Sequence, residues 1–181
     1  MVNAYGFGSE DKKELNKRGL NDIKNQVDYN RLEIVCTPKR CVLIKADKNT
    51  QIDLSAIAKG YAVDVLADYL DSLGVYDYLV EIGGEVRFKG LNEIGQYWRI
   101  GVLRPDTGVS NKNYIMVLSA ENMCLATSGN YRNYYWKDDV LYTHTIDPQT
   151  GLPASNDLLS VTISAPSCMS ADDIATACMV M

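Results

Sequence analysis

The sequence contains little histidine and phenylalanine, and it lacks any dense cluster of lysine and arginine. Its 181 residues include one histidine and two phenylalanines beside 12 tyrosines, and the net charge is −5. Nucleic-acid-binding domains usually carry a basic patch or stripe, so the charge pattern argues against that class of protein. The sequence also shows no signal peptide, no lipid-attachment motif and no apolar run long enough to cross a bilayer.

The cysteines follow no metal-binding or disulfide motif. Cys36, Cys41, Cys124, Cys168 and Cys178 include no C-x-x-C pair, and one histidine offers little to a zinc site. Because the number of cysteines is odd, complete internal pairing is impossible. We therefore expect buried free thiols, and the cysteines do not identify a redox compartment.

Length and composition predict one domain with a hydrophobic core, since 46% of the residues are hydrophobic and 23% are charged. The chain opens on a turn-rich segment and closes on the apolar stretch 177–181, which has no glycine, lysine or proline stop signal. We therefore expect a single core over residues 1–181 that is a fragment of a longer protein.

The periodicity of the sequence predicts three helices among many short strands. The helices are expected over residues 9–27 with Ser9 as the cap, over 57–73 with Gly74 as the stop, and from Ser170 to the end. The predicted strands are RLEIV, CVLIKA, QIDLS, YLVEI, EVRFKG, WRIGVL, NYIMVLSA, NMCLAT, VLYTHTI and LLSVTISA. Gly83-Gly84 predicts a hairpin or bulge, and DPQTG predicts a tight turn. This arrangement predicts an α+β fold with a largely antiparallel sheet and flanking helices.

The second predicted helix begins with a charged Lys59-Gly60 step. Its expected buried stripe recurs every four residues and consists of Ile57, Tyr61, Val65, Tyr69 and Leu73. The free N–H groups of a helix start attract anions such as phosphates, and a first-turn lysine disfavours the bare helix. One interpretation is a bound anion, with Gly60 admitting a ligand or a neighbouring backbone. The other is a solvated lysine and a glycine needed only for packing.

The last predicted helix carries Asp172 and Thr176 four residues apart, so they share one face. A carboxylate and a hydroxyl are hard oxygen ligands that suit Mg²⁺ better than zinc. Asp173 is expected to face water. The alternative is that Ser170 caps this helix and both aspartates interact only with its dipole.

Two further segments contain residues that could take part in catalysis or ligand binding. The segment 143–151, THTIDPQTG, contains His144, so any imidazole chemistry belongs there, although a lone histidine also serves as a structural hydrogen-bonding group. The segment 127–133, TSGNYRN, follows a strand. It predicts either a loop whose N–H groups approach a ligand or a simple turn.

In their order along the chain, five segments resemble the ApbE family of FAD-dependent protein FMN transferases. They are DLSAIAKGYAVD, LVEIGGEVRFKG, ATSGNYRN, THTIDPQTG and SADDIATACMVM. The resemblance implies Mg²⁺-dependent transfer of FMN from FAD to a Thr or Ser hydroxyl of a target protein, through a phosphoester bond and with release of AMP. It also implies Mg²⁺ as cofactor, FAD as substrate and an acceptor of the redox-pump subunit type. The alternatives are an FAD pyrophosphatase that releases FMN and AMP, and a non-catalytic flavin-binding protein.

The resemblance also implies roles for individual residues. His144 is expected to take the proton of the attacking hydroxyl or to orient that group. The expected metal ligands are the Ala56 backbone carbonyl, Asp172 and Thr176. The expected flavin-site residues are Asp53, Lys59, Ile146, Ser128 and Gly129. The resemblance also implies that family members carry a further N-terminal region and continue past the final helix, so we expect this chain to lack the N-terminal region and the extreme C-terminus of the family. In extracytoplasmic members the N-terminal region follows a signal or lipid anchor, so the resemblance implies a full-length protein anchored outside the cytoplasm.

Overall fold

The computed structural model describes residues 5, 17–25, 27–48, 50–105, 113–130, 134–137, 140–154 and 156–181. The chain forms two compact units, one of Met1–Asp53 with Ile146–Pro153 and one of Leu54–Thr145 with Ala154–Met181. The single core over residues 1–181 stays a prediction. Among the described residues, no helix combines the length and the hydropathy that a bilayer crossing requires.

The first unit contains helix α1 at Lys17–Lys24, a 3₁₀ turn at Tyr29–Arg31, and strands β1 at Leu32–Thr37 and β2 at Arg40–Lys45. The helix was expected to reach residue 27, but it ends at Lys24. Asp28 is extended and its side chain accepts the Asn30 N–H at 2.9 Å, so the chain has already entered the next turn. The expected Ser9 cap lies outside the described residues.

Strands β1 and β2 form an antiparallel hairpin that Cys36 and Cys41 close. The two cysteines face each other directly in the register and form a disulfide. The expectation of free thiols is therefore wrong for this pair, because hairpin pairing rather than C-x-x-C spacing brings the sulfur atoms together. Cys124 and Cys168 are buried free thiols as expected, and Cys178 is a partly buried one.

The predicted strand QIDLS is also wrong. Residues 51–54 have no regular secondary structure. The Leu54 carbonyl accepts hydrogen bonds from the N–H groups of Ile57 and Ala58, at 3.0 Å each. The alternating apolar pattern therefore leads into the turn that starts the next helix.

The second unit contains helices α2 at Ala58–Ser72 and α3 at Cys168–Val180. Its strands are β3 at Tyr78–Ile82, β4 at Glu85–Lys89, β5 at Trp98–Leu103, β6 at Tyr114–Ala120, β7 at Asn122–Gly129, β8 at Tyr134–Lys137, β9 at Val140–Thr143 and β10 at Ser160–Ala165. Sequence reasoning missed β8. Four of these strands form an antiparallel sheet in the order β10-β7-β4-β3, and β5–β6 and β8–β9 form two separate hairpins. The antiparallel α+β prediction is confirmed.

The two faces of the sheet carry different packing layers. On one face, Val86, Phe88 and Leu125 pack against apolar residues of the β5–β6 hairpin, including Trp98 and Leu118. On the other face, alternate residues meet the helices, and Cys124 packs with Val63 of α2 and Cys168 of α3. This alternation follows from the two-residue period of a strand, and it directs Glu85 and Arg87 toward the helices.

Helix α2 ends at Ser72, and Gly74 takes the predicted stop position just beyond the Leu73 cap, with a φ of 75°. The prediction of its buried face is wrong. Tyr61, Tyr69 and Leu73 of the expected stripe are 57%, 60% and 60% exposed. The buried residues are Gly60, Val63, Asp64 and Ala67, and Gly60 lies so close to the backbone of α3 that a side chain there would collide with it.

The hairpin at Gly83-Gly84 is confirmed and fixes the start of β4. Both glycines have positive φ angles, 60° and 105°, as a tight two-residue turn requires. Ile82 pairs with Glu85 across the turn. Glu85 is therefore the first residue of β4 and lies directly beside the turn.

Candidate functional site

The candidate site lies in the second unit, where the start of α2 meets one face of α3. Asp172 is 2% exposed, and its Oδ2 accepts a hydrogen bond from the Gly60 N–H at 3.0 Å. The two residues are 112 positions apart in the sequence. A buried carboxylate thus occupies a helix start, where free N–H groups and the helix dipole stabilise negative charge.

This bond changes the pairing of the Ala56 carbonyl. In a regular helix the Gly60 N–H would donate to the carbonyl four residues earlier, which is that of Ala56. Among the backbone hydrogen bonds of the described residues, none joins these two groups, because the Gly60 N–H donates to Asp172 instead. Asp172, one expected metal ligand, therefore takes the N–H group that would otherwise bind the carbonyl of Ala56, the other.

Lys59 reaches a second buried carboxylate, that of Glu85. Its Nζ lies 2.7 Å from Oε2 of Glu85, which is 0% exposed, whereas the lysine side chain is 45% exposed. Oε1 of Glu85 has no hydrogen-bond partner among the described residues. Burial raises the pKa of Glu85, Lys59 opposes that rise, and the nearby charge of Asp172 adds to it.

Thr176 lies one helical turn beyond Asp172 and contacts β7. Its hydroxyl is 3.2 Å from that of Ser128. The prediction that Ser128 and Gly129 lie in a loop is wrong. Both belong to β7, where they pair with Val161 and Ser160 of β10. The alternation of the strand still turns Ser128 toward α3.

His144 follows the last residue of β9, so the strand ends one residue before it rather than continuing through TI. It lies between two buried threonines, and the Thr145 hydroxyl donates to the Asn130 side chain at 2.7 Å. Asn130 follows β7 directly and its N–H donates to the Leu159 carbonyl at 3.1 Å. The loop that carries His144 is thus tied to the same end of β7 as Ser128.

Asp53 and Ile146 belong to the first unit. Ile146 forms an isolated bridge with Pro153, and the DPQTG turn between them closes with a 2.8 Å bond from the Gly151 N–H to the Asp147 carbonyl. The Tyr5 hydroxyl also donates to the Gly151 carbonyl at 2.9 Å. The roles of Asp53 and Ile146 as flavin contacts stay predictions.

Helix α3 is capped by Ser167, not by Ser170 as the alternative interpretation proposed. The Ser167 side chain accepts the Ser170 N–H, and the helix begins at Cys168. The cap lies earlier because Asp64 of α2 accepts the N–H groups of Cys168 and Met169 at 3.0 and 2.9 Å. Asp173 is exposed, as predicted.

Asp64, Cys124 and Cys168 also form a compact buried group, but their bonds are structural. Besides the two N–H groups at the start of α3, the Asp64 carboxylate accepts from Arg87 at 3.3 Å. The Cys168 thiol donates to the Val86 carbonyl at 3.1 Å. A hydrogen bond with Cys124 and burial raise the pKa of Cys168, so it stays a protonated thiol.

Glu85 is the site residue that sequence reasoning missed. An acidic residue directly after the Gly83-Gly84 turn, at the first position of a strand with buried neighbours, was the available signal. Such a position is unusual for a carboxylate that has no cation or hydrogen-bond donor nearby.

Fold and site together define an α+β protein with an oxygen-rich acidic site at a helix start, an arrangement suited to a divalent cation beside phosphate groups. The chain belongs to the ApbE family, whose model matches residues 1–181. Among curated proteins it is similar to the FAD:protein FMN transferase of Vibrio cholerae serotype O1, with 42% identity over 189 residues, covering 100% of this chain and 53% of that protein. The FAD:protein FMN transferase of Escherichia coli K12 is 33% identical over 184 residues, covering 100% of this chain and 52% of that protein.

Solved structures of the family have the same fold. The flavin transferase ApbE from Vibrio cholerae matches with a TM-score of 0.84 and 41% identity, covering 99% of this chain and 55% of that one. The ApbE protein of Thermotoga maritima matches with a TM-score of 0.83 and 32% identity, covering 99% and 57%. The chain spans about half the length of the curated relatives it matches.

Proposed function

We propose that this protein transfers FMN from FAD to a serine or threonine hydroxyl of a target protein and releases AMP. The curated relatives described above carry the name FAD:protein FMN transferase. The observation that carries the proposal is the buried Asp172 carboxylate at the start of α2, with Thr176 one turn further along α3. It is an arrangement of hard oxygens beside helix N–H groups, which suits the binding of a divalent cation and a diphosphate.

The proposed reaction is a phosphoryl transfer. The hydroxyl oxygen of the target attacks the phosphorus atom on the FMN side of the diphosphate, and a new phosphorus–oxygen bond forms. The bond between that phosphorus and the bridging oxygen breaks, so AMP leaves with the oxygen and the electron pair. The hydroxyl proton passes to a base. In such reactions, positioning and charge neutralisation provide most of the catalysis.

The residues present fit a hard divalent cation. Asp172, Thr176 and the Ala56 carbonyl supply only oxygen, and the Ala56 carbonyl is not used by the Gly60 N–H. These three residues would hold Mg²⁺, which neutralises charge on diphosphate oxygens when it is bound.

The other site residues have separate proposed roles. Lys59, exposed by nearly half and anchored by Glu85, adds a positive charge for an anionic substrate. His144, in the loop tied to β7 by Asn130, takes the hydroxyl proton or orients the hydroxyl. Asp53 and Ile146 are proposed flavin contacts.

The test of the proposal uses the full-length protein with FAD, Mg²⁺ and a candidate acceptor domain. Intact mass spectrometry should show one FMN added to the acceptor, and chromatography should show one AMP released. Asp172→Asn is expected to abolish both products, whereas Asp173→Asn, which removes the same charge from the next and exposed residue, should leave them unchanged. Free FMN formed beside an unmodified acceptor would instead indicate an FAD pyrophosphatase. Bound FAD without any product would indicate a flavin-binding protein.

We also propose that the protein works outside the cytoplasm. The Cys36–Cys41 disulfide supports this location, because such bonds persist in oxidising compartments and are rare in the cytosol. The proposal is tested by fractionating cells that produce the full-length protein. Recovery of the protein only from the cytosol, with both cysteines reduced, would contradict it.

A further inference from the structure

Glu85 is the most unusual buried group in the described part of the molecule. Its side chain is fully buried, and the Lys59 Nζ lies 2.7 Å from Oε2. Oε1 has no hydrogen-bond partner among the described residues. A buried carboxylate oxygen in this state costs free energy unless a ligand satisfies it when the site is filled.

The surroundings of Glu85 indicate what kind of ligand this is. Lys59 and Gly60 are consecutive residues, and they bind Glu85 and Asp172 respectively. The two carboxylates, from β4 and α3, therefore both lie next to the first turn of α2. The negative charge of Asp172 acts on Glu85 there. Two carboxylates against one ammonium leave one negative charge without compensation among these groups. A cation is the ligand that relieves this excess.

We propose that Glu85 is a positioning residue of the cation site, which strengthens divalent-cation binding at Asp172 through its charge and through its unpaired oxygen. This inference rests on the proposed function and extends its metal site by one residue. The unpaired Oε1 is suited to accept a hydrogen bond from water bound to the cation, as outer-shell carboxylates do. The bond to Lys59 holds the Glu85 side chain in place.

The experiment measures Mn²⁺ binding to the full-length protein by electron paramagnetic resonance, with neither FAD nor acceptor present. Glu85→Gln keeps the shape of the side chain and an acceptor for Lys59, but removes the charge. We expect it to weaken Mn²⁺ binding about 10- to 100-fold, the usual effect of losing an outer-shell partner. Glu81→Gln is the matched control, because it removes the same charge from an exposed position on the neighbouring strand and should change the affinity little.

A second variant separates this role from a purely structural one. Lys59→Met breaks the same ion pair but removes positive charge, so it should strengthen Mn²⁺ binding. If Glu85 merely anchored Lys59, both variants would change the affinity in the same direction. Opposite directions support the inference. A common direction, an unchanged affinity in Glu85→Gln, an equal loss in Glu81→Gln, or no Mn²⁺ binding by the unaltered protein would each overturn it.

Circular dichroism checks that each variant is folded. If Glu85→Gln does not fold, the double variant with Lys59→Met takes its place, because it removes both charges of the ion pair and leaves only that of Asp172. Its affinity should then lie below that of Lys59→Met alone, and an equal affinity would overturn the inference. Because Mn²⁺ is the only ligand in this experiment, a negative result would refute the role of Glu85 but not the proposed transferase activity, which the FMN-transfer assay tests separately. Absence of FMN transfer likewise leaves the cation result intact.

Discussion

The contact between α2 and α3 at Gly60 allows a quantitative prediction for Gly60→Ala. A Cβ at this position would overlap the Cys168 carbonyl, lying 2.6 Å from its carbon and 2.8 Å from the Met169 Cα. Carbon atoms prefer separations of about 3.5–4.0 Å, so the helices must move apart by roughly 1 Å.

Two losses follow from that movement, and one gain opposes them. Overpacking of this kind costs about 1–3 kcal/mol. The Gly60 N–H to Asp172 bond, now 3.0 Å long, would be stretched beyond a useful length. A hydrogen bond to a charged group contributes about 1.5–3 kcal/mol, and the better helix propensity of alanine returns at most about 1 kcal/mol. The net loss of stability is expected to be about 2–5 kcal/mol.

Thermal unfolding monitored by circular dichroism should show this loss as a fall in the melting temperature of roughly 4–20 °C. Gly74→Ala is the matched glycine control. It has a φ of 75° and no atom within 4 Å of the position that an alanine methyl group would take, so only the left-handed backbone strain of about 1 kcal/mol applies. Mn²⁺ affinity should fall in Gly60→Ala and stay unchanged in Gly74→Ala. If Gly60→Ala unfolds at the temperature of the unaltered protein, or if Gly74→Ala is the less stable variant, the reasoning is refuted.

Asp64→Ala should destabilise the protein by about 2–5 kcal/mol, because it leaves two N–H groups at the start of α3 without their acceptor and removes one of the three carboxylates paired with Arg87. Exposed Asp68→Ala should cost under about 1 kcal/mol in the same denaturant titration. Similar losses in the two variants would contradict the buried-cap interpretation. The pKa of Glu85 is raised in the folded state, so the folded protein binds this proton more tightly than the unfolded chain does. The contribution of Glu85 to stability should therefore fall as the pH rises above 4.5, the ordinary pKa of a glutamate side chain. The free energy of unfolding of the unaltered protein, minus that of Glu85→Gln, should therefore fall as the pH is raised. A rise of this difference with pH would contradict the raised pKa. Alkylation of the denatured, unreduced protein should modify three of the five cysteines, since only Cys36 and Cys41 are paired, and reduction should cost about 2 kcal/mol for so short a loop. Five modified cysteines would show that the disulfide does not form.

Local signals predicted much of the fold from the sequence alone. The stop of α2 at Gly74 and the turn at Gly83-Gly84 depend on backbone conformations that glycine adopts easily, so the residue type itself carries the information. Strand β5 coincides with the predicted WRIGVL, because its apolar pattern and its flanking turns agree.

Tertiary contacts decided the features that the sequence did not reveal. The apolar stripe of α2 looked like a core face, but the helix buries a different face, because Gly60 permits close contact with the backbone of α3. The start of α3 moved from Ser170 to Cys168 because a carboxylate of α2, distant in the sequence, accepts its first N–H groups. Periodicity within one segment contains no information about either partner.

The candidate site shows the same division between local and distant information. The spacing of Asp172 and Thr176 predicted one helix face, and the family resemblance pointed to Lys59. Neither showed that Lys59 faces a buried carboxylate rather than open solvent, since Glu85 enters the site only when the β3–β4 hairpin folds against α2.

The Lys59-Gly60 step therefore meets a packing requirement at Gly60 and a charge requirement at Lys59, and the sequence alone does not distinguish the two. Gly60 is required by packing, because a side chain there would collide with the backbone of α3, and its N–H then becomes the donor that holds Asp172. Lys59 is not simply solvated, because its ammonium group neutralises part of the negative charge that the two carboxylates bring to the helix start. The packing interpretation and the ligand interpretation are thus not exclusive. Close contact of the helices places Asp172 at the helix start, and the charge left over there is what makes the site suited to a cation.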